Sequence, residues 1–160
     1  LNYPVMLIIK GKKCLVAGGG RVAERKIKRL LKSGARVRVV SPCLTNTLAR
    51  ELKLKGAFTY EKRLFRPDDL GGVFLIIAAT DEKKINNEIC SLASKRGILC
   101  NSVNTRRAAT FMNMAETKVK GLTIAVSSGG KNVRKAKEMT LNIKKGSKKN
   151  GQIVGSVVQP

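Results

Sequence analysis

Gly18, Gly19 and Gly20, followed by Arg21, Val22 and Ala23, are the residues whose types and spacing most directly imply chemistry in this chain. They fit the dinucleotide fingerprint G-x-G-x-x-G/A. In that pattern Gly18 makes a tight turn, Gly20 lets the backbone approach a pyrophosphate, and Ala23 keeps the following helix close to a sheet. The free N–H groups at the helix start then face the phosphates. A bare fingerprint is a weak signal. Here the apolar run Cys14-Leu15-Val16-Ala17 precedes it and an amphipathic stretch follows, which supply the strand and helix it requires.

Other chemistries are poorly served. The chain has no histidine, which removes the commonest general base and the usual partner of a nucleophile. Cys14, Cys43, Cys90 and Cys100 are scattered without a C-x-x-C pair, so a thiolate metal site is not expected. Three of the four lie in or beside apolar segments and read as small buried hydrophobes. The 33 Lys and Arg against 10 Asp and Glu give a net charge of +23, which suits either nucleic acid or a polyanionic small molecule. The basic residues are not interleaved with aromatics, and no helix-turn-helix, RRM or KH signature is present. Nucleic acid is therefore the less favoured partner. No apolar run reaches the 18 or so residues of a membrane span. The opening apolar residues 5–9 are too short for a signal-peptide core, which points to a cytoplasmic protein.

The elements that must position the glycines follow from periodicity. Residues 5–9 read as an edge strand and 14–17 as the first buried parallel strand. Residues 21–32 form a helix whose apolar face holds Val22, Ala23, Ile27, Leu30 and Leu31, with Ser33 and Gly34 stopping it. Strands are expected at 37–41, 58–62, 73–79, 98–103 and 122–126. Helices are expected at 44–55, from Thr80-Asp81 to about Lys95, and at 132–141. This alternation is the signature of an α/β fold with a doubly wound parallel sheet. Right-handed crossovers align the strand C-termini along one edge, where ligands of open α/β sheets bind. That edge would gather residues 18–20, 41–42, 79–81, 101–104 and 127–130. Three regions are expected: a dinucleotide-binding domain over 1–110, a short region over 111–143, and a basic, unstructured tail over 144–160.

An acid about twenty residues beyond the glycines would ordinarily bind the adenosine ribose. Ser41 stands there instead, and a serine can hydrogen-bond a ribose hydroxyl. Arg36 or Arg38 could serve a 2′-phosphate, so NAD and NADP both stay open on physical grounds.

Several motifs together resemble the precorrin-2 dehydrogenases, including the N-terminal half of bacterial siroheme synthases. They are Tyr3-Pro4-Val5-Met6-Leu7, the stretch from Val16 through the glycines to Lys26, and Val39-Val40-Ser41-Pro42. Ile76-Ile77-Ala78-Ala79-Thr80-Asp81, Asn86, Asn101-Ser102-Val103 and the run from Leu122 to Gly130 complete them. The likeness is collinear from Tyr3 to Gly130. It implies a Rossmann-like domain followed by a dimerisation region, here short and apparently truncated, in a homodimer. It also implies NAD-dependent oxidation of precorrin-2 to sirohydrochlorin on the route to siroheme, and some members insert ferrous iron. The substrate is a tetrapyrrole with eight carboxylates, which a strongly basic protein suits. By resemblance, Gly18, Gly20, Arg21 and Val22 wrap the cofactor phosphates and Ser41 sits by the ribose. Ala79, Thr80 and Asp81 line the path to the nicotinamide, although Thr80 and Asp81 also suit a helix N-cap. Asn101 and Ser128 fall on the substrate side; Ser128 also suits a turn satisfied by its own hydroxyl.

Departures from the family pattern matter as much. The family's proposed general base is the aspartate of an Asn-x-Val-Asp motif, and this chain has Asn104 there. An amide does not accept a proton at neutral pH, which leaves Asp81 as the substitute candidate. Met114 replaces a usual proline, Asn132-Val133-Arg134-Lys135-Ala136 replaces a Ser-Pro-x-x-Ala-Arg helix start, and the C-terminal helical region is essentially absent. The expected function is an NAD-dependent precorrin-2 dehydrogenase. The alternative is a catalytically impaired relative that binds NAD or a tetrapyrrole in a regulatory role.

Overall fold

A computed structural model describes residues 2–104 and 108–149. Its described elements are β1 (Lys13–Ala17), α1 (Arg21–Lys32), β2 (Arg36–Val40), α2 (Asn46–Lys55), β3 (Thr59–Glu61), a 3-10 helix (Pro67–Leu70), β4 (Leu75–Ala78), α3 (Lys83–Lys95), β5 (Leu99–Ser102), β6 (Ala115–Val119), β7 (Leu122–Val126) and α4 (Val133–Lys149). Among the described residues they fall into two compact units, one within 4–112 and the other made of 2–3 with 113–149.

In the first unit five parallel strands lie in the order β3-β2-β1-β4-β5. Central β1 is apolar at successive positions because it is buried on both faces. Val16, Val39 and Ile77 point to one face and pack with Ala23, Ile27 and Leu30 of α1 and Leu48 of α2. Leu15, Ala17, Ile76 and Ala78 point to the other and meet Ile89, Cys90 and Ala93 of α3. Each fully buried aliphatic side chain contributes roughly 1.5–3 kcal/mol. Cys90 and Cys100 are joined as a disulfide that ties α3 to β5, a pairing absent from the sequence reading. Cys14 is buried and Cys43 exposed, both as free thiols.

The connection from β3 to β4 carries only the 3-10 helix, and charge does the covering there. Asp69, 4% exposed, accepts bonds from Arg63 Nη1 and Nη2 at 2.9 and 2.6 Å and from the Arg66 N–H at 2.7 Å. Arg38 joins through Glu61 at 2.9 Å, and Arg63 also pairs with Glu61.

Several sequence expectations are corrected. Residues 5–9 form no strand, and Val5, Met6, Leu7 and Ile8 are exposed. They enter β1 through a turn at Gly11, and both sides of β1 are already paired with β2 and β4. Val22 is 38% exposed and lies outside the buried face of α1. Residues 122–126 do form a strand, but it pairs antiparallel with β6 in the second unit rather than extending the parallel sheet. The cause is the turn: Lys120 (φ 46°) and Gly121 (φ 82°) both occupy positive φ, which a two-residue hairpin of the I′ kind requires. Helix α4 runs on to Lys149, past the expected end at 141 and through part of the supposed unstructured tail. Lysines are good helix formers, and a single interior glycine such as Gly146 costs only about 1 kcal/mol. Residues 150–160 of that expected tail lie outside the described residues.

Candidate functional site

The glycine turn joins β1 to α1 at the C-terminal edge of the sheet, and its three glycines do different work. Gly18 adopts φ +119°, and a Cβ there would lie 2.2 Å from the Ala79 carbonyl oxygen. A Cβ on Gly19 would lie 2.0 Å from the Cys43 carbonyl oxygen. These two are demanded by neighbouring loops. Gly20 has ordinary extended backbone, and a Cβ there would meet nothing within 4 Å. Its bareness leaves open space in front of the first turn of α1, where a pyrophosphate fits. No side chain caps α1, so its leading N–H groups keep their capacity for an anion. Ala23 is fully buried against the sheet, as the fingerprint requires. Arg21 and Val22 are exposed on the first turn.

Ser41 closes β2 and is buried. Its hydroxyl donates to the Cys43 carbonyl at 2.8 Å, leaving the oxygen lone pairs to accept. That is the polarity an acid would offer a ribose hydroxyl. Neither arginine considered for a 2′-phosphate is placed for it. Arg36 begins β2 at the opposite edge and donates to the Gly11 carbonyl, while Arg38 is held by Glu61 and Asp69.

Ala79 is buried beside the turn, and Thr80 follows half-buried. Asp81 is exposed and has no hydrogen-bond or ion-pair partner among the described residues. The N-cap of α3 is Glu82, so neither Thr80 nor Asp81 caps that helix. Thr80 is instead clasped by Asn86, which is fully buried. Asn86 Oδ1 accepts the Thr80 N–H at 3.0 Å, and Asn86 Nδ2 donates to the Thr80 carbonyl at 2.8 Å. Asn86 Nδ2 also donates to Asn104 Oδ1 at 3.0 Å, so the loops after β4 and β5 are joined through Asn104.

Asn101 lies on the other face of β5. Its Oδ1 accepts from Lys26 Nζ at 3.1 Å, and its Nδ2 donates to the Phe111 carbonyl at 3.0 Å. Burial, with Arg29 and Arg25 nearby, pulls the Lys26 ammonium down to about 8. The end of β5 is thus braced by polar groups on both faces of the sheet.

Four of the five expected loops, those at Gly18–Gly20, Ser41, Ala79–Asp81 and Asn101–Asn104, lie on one edge of the parallel sheet. The fifth does not belong to that sheet: Ser128 follows β7 in the second unit, where its Oγ accepts the Asn132 N–H at 2.8 Å. Sequence reasoning gave no role to Asn86, Lys26 or Gly19. Lys26 carried a signal, since it sits three residues after Ala23 and four before Leu30 and so borders the buried face. Nothing in the spacing marked Asn86 as a link between two loops. Among the described residues no group of His, Cys, Asp and Glu could hold a metal, and no helix is long and apolar enough to cross a membrane.

A family described as putative NAD(P)-binding matches residues 5–115. The siroheme synthase of Nitrosomonas europaea is 40% identical over 127 residues, covering 79% of this chain and 27% of that protein. The siroheme synthase of Photorhabdus laumondii is 37% identical over 128 residues, covering 80% and 27%. The chain thus spans about a quarter of the length of these relatives. Among solved structures, SirC, a precorrin-2 dehydrogenase, superposes with a TM-score of 0.78 at 28% identity, covering 91% of this chain and 71% of that one. With its glycine turn, open Gly20 and parallel sheet, the chain belongs to the putative NAD(P)-binding family.

Proposed function

We propose that this chain is an NAD-dependent dehydrogenase acting on precorrin-2, which it oxidises to sirohydrochlorin in siroheme biosynthesis. The observation that carries this reading is the strand-end edge with its open Gly20, on a fold that matches SirC over most of the chain. NAD is favoured over NADP because Ser41 offers an acceptor and both candidate arginines are committed elsewhere.

Bound NAD+ supplies the hydride acceptor. The leading N–H groups of α1, with Arg21 and Val22 beside them, would hold the pyrophosphate near Gly18 and Gly20. Ser41 orients the adenosine ribose by accepting from its hydroxyl. Ala79 and Thr80 wall the path to the nicotinamide, with Thr80 fixed by Asn86. Asn101, whose amide is taken up by Lys26 and the Phe111 carbonyl, would support the end of β5 from behind, and Ser128 is assigned to the substrate on the family pattern alone. Asn104 does not take the proton that leaves with the hydride, so that proton passes to Asp81 or to water. Orientation against the cofactor supplies much of the remaining acceleration.

The net charge of +23 favours a polycarboxylate tetrapyrrole over a neutral substrate. Among the described residues the second unit holds one hairpin and one helix, and Leu122, Val133, Met139 and Leu141 are exposed on it. That supports a homodimer in which a second copy covers these residues. A cytoplasmic location belongs to the same proposal.

Asn104 favours a second reading, a relative that binds NAD or the tetrapyrrole and turns over poorly. An anaerobic assay of precorrin-2 and NAD+, followed by sirohydrochlorin absorbance, separates the two. Slow product from the native chain, and a gain of roughly 10²–10⁴-fold with Asn104→Asp, is expected for the dehydrogenase. No product from either protein, with NAD+ bound, overturns it.

A further inference from the structure

Asn86 stands on the first turn of α3 without any exposed surface, and its orientation has only one solution. Its two amide ends meet the backbone of a single residue, Thr80. A backbone N–H can only donate and a backbone carbonyl can only accept, so the Asn86 oxygen and nitrogen cannot be exchanged. The remaining Nδ2 hydrogen is aimed at residue 104, 3.0 Å away. Whatever atom of residue 104 faces it must accept. In this chain that atom is Asn104 Oδ1, which Ser102 Oγ also approaches as a donor at 3.3 Å. The other end of the Asn104 amide, Nδ2, belongs to an exposed side chain and has no partner among the described residues.

We propose that Asn86 is a positioning residue that fixes the polarity of position 104, so that Asn104 presents its Nδ2 hydrogens to a carboxylate of the bound tetrapyrrole. The ligand's identity rests on the dehydrogenase reading above; the polarity does not. A carboxylate at position 104 would place one oxygen against Asn86 Nδ2 and the other where Nδ2 now lies. The same framework thus yields an outward donor with asparagine and an outward acceptor with aspartate. Asn104 makes the position an anchor for anionic substituents, at the cost of proton removal.

The test uses the full chain and two readouts. The carboxyl introduced by Asn104→Asp is titrated by carbon NMR, alone and together with Asn86→Ala. Donation from Asn86 is expected to hold that carboxyl at least about one unit below the ordinary aspartate value, and Asn86→Ala to return it upward. If the Asn104→Asp carboxyl titrates at or above the ordinary value, the polarity argument is overturned, even if the double variant fails to fold. Uroporphyrin, an octacarboxylate tetrapyrrole, is then added to the nitrogen-15-labelled native chain. A shift of the Asn104 side-chain amide, and binding weakened at least about fivefold by Asn104→Asp, supports the anchor. Porphyrin binding that leaves that amide unmoved overturns it. Absence of any porphyrin binding overturns the tetrapyrrole reading and the carboxylate contact with it, while the carboxyl titration still decides the role of Asn86.

Discussion

Thr45 Oγ1 donates to Glu24 Oε2 at 2.6 Å, joining the cap of one helix to the first turn of another beside the glycine turn. The same oxygen accepts the Leu48 N–H at 3.3 Å, and the Thr45 N–H donates to the Gly19 carbonyl at 3.0 Å. Thr45→Ala should cost about 1–2 kcal/mol in urea unfolding, as the loss of an N-cap does. Hydrogen bonds from Lys28 and Thr45 hold the Glu24 carboxyl below its usual range. Its stabilising share is therefore present above the ordinary glutamate value and fades as pH falls, so the gap between native and Thr45→Ala midpoints should narrow in acid to the part owed to the cap.

The three glycines should separate by phenotype. Gly18→Ala and Gly19→Ala drive a Cβ into the Ala79 and Cys43 carbonyls, and each should destabilise by about 2–4 kcal/mol. Gly20→Ala should leave stability within about 0.5 kcal/mol and weaken NAD+ binding more than about tenfold. Thermal melts paired with calorimetric NAD+ titration read both; unchanged NAD+ affinity in Gly20→Ala would remove the pyrophosphate from this turn.

Lys26 should give the fold an alkaline signature. Its ammonium lies at about 8 when folded against 10.5 when unfolded. Between those values the unfolded chain binds more protons, so stability rises with pH across the window. Below about 8 the penalty of the buried charge is fully present. Comparing urea midpoints near pH 7.5 and pH 10 should show a rise in the native chain that is diminished in Lys26→Met. Equal pH responses in the two proteins would place the ammonium in solvent.

Asp69 should give a pH dependence of the same sign in the acid range, here because the charged form is the one the fold favours. Arg63, and then the Arg66 N–H, hold its carboxyl below the usual range. Asp69→Asn should cost about 2–3 kcal/mol near neutral pH, because it weakens hydrogen bonds to charged groups in a covered position. That difference is retained above the unfolded value of 3.8 and should shrink as pH falls below it. A difference constant down to strong acid would mean that packing, not charge, carries the effect.

The parallel sheet was legible because its signals were redundant. The doubly buried run at residues 14–17, the glycines and the one-sided face of α1 each implied the same β-turn-α unit. Residues 5–9 misled because apolar composition does not report whether a neighbouring strand edge is free. The strand at 122–126 has the right composition for a parallel strand, and only the paired positive φ at Lys120 and Gly121 fixes it as half of a hairpin. Lysine is a poor marker of sequence positions that admit positive φ, so this turn was not read. At the candidate site the glycines and Ser41 carried their own signals. Asn86 did not, because its partners Thr80 and Asn104 lie 6 and 18 residues away, and tertiary approach alone brings them together.

Gly18 and Gly19 touch two different loops through backbone alone: the carbonyl of Ala79 on one side and that of Cys43 on the other. In the proposed complex these loops would serve the nicotinamide end and the adenosine end of the dinucleotide. The intervening dipeptide has no side chain with which to absorb a displacement. The two ends are therefore mechanically geared, and a loop graft meant to change adenosine preference should also register where hydride leaves the substrate.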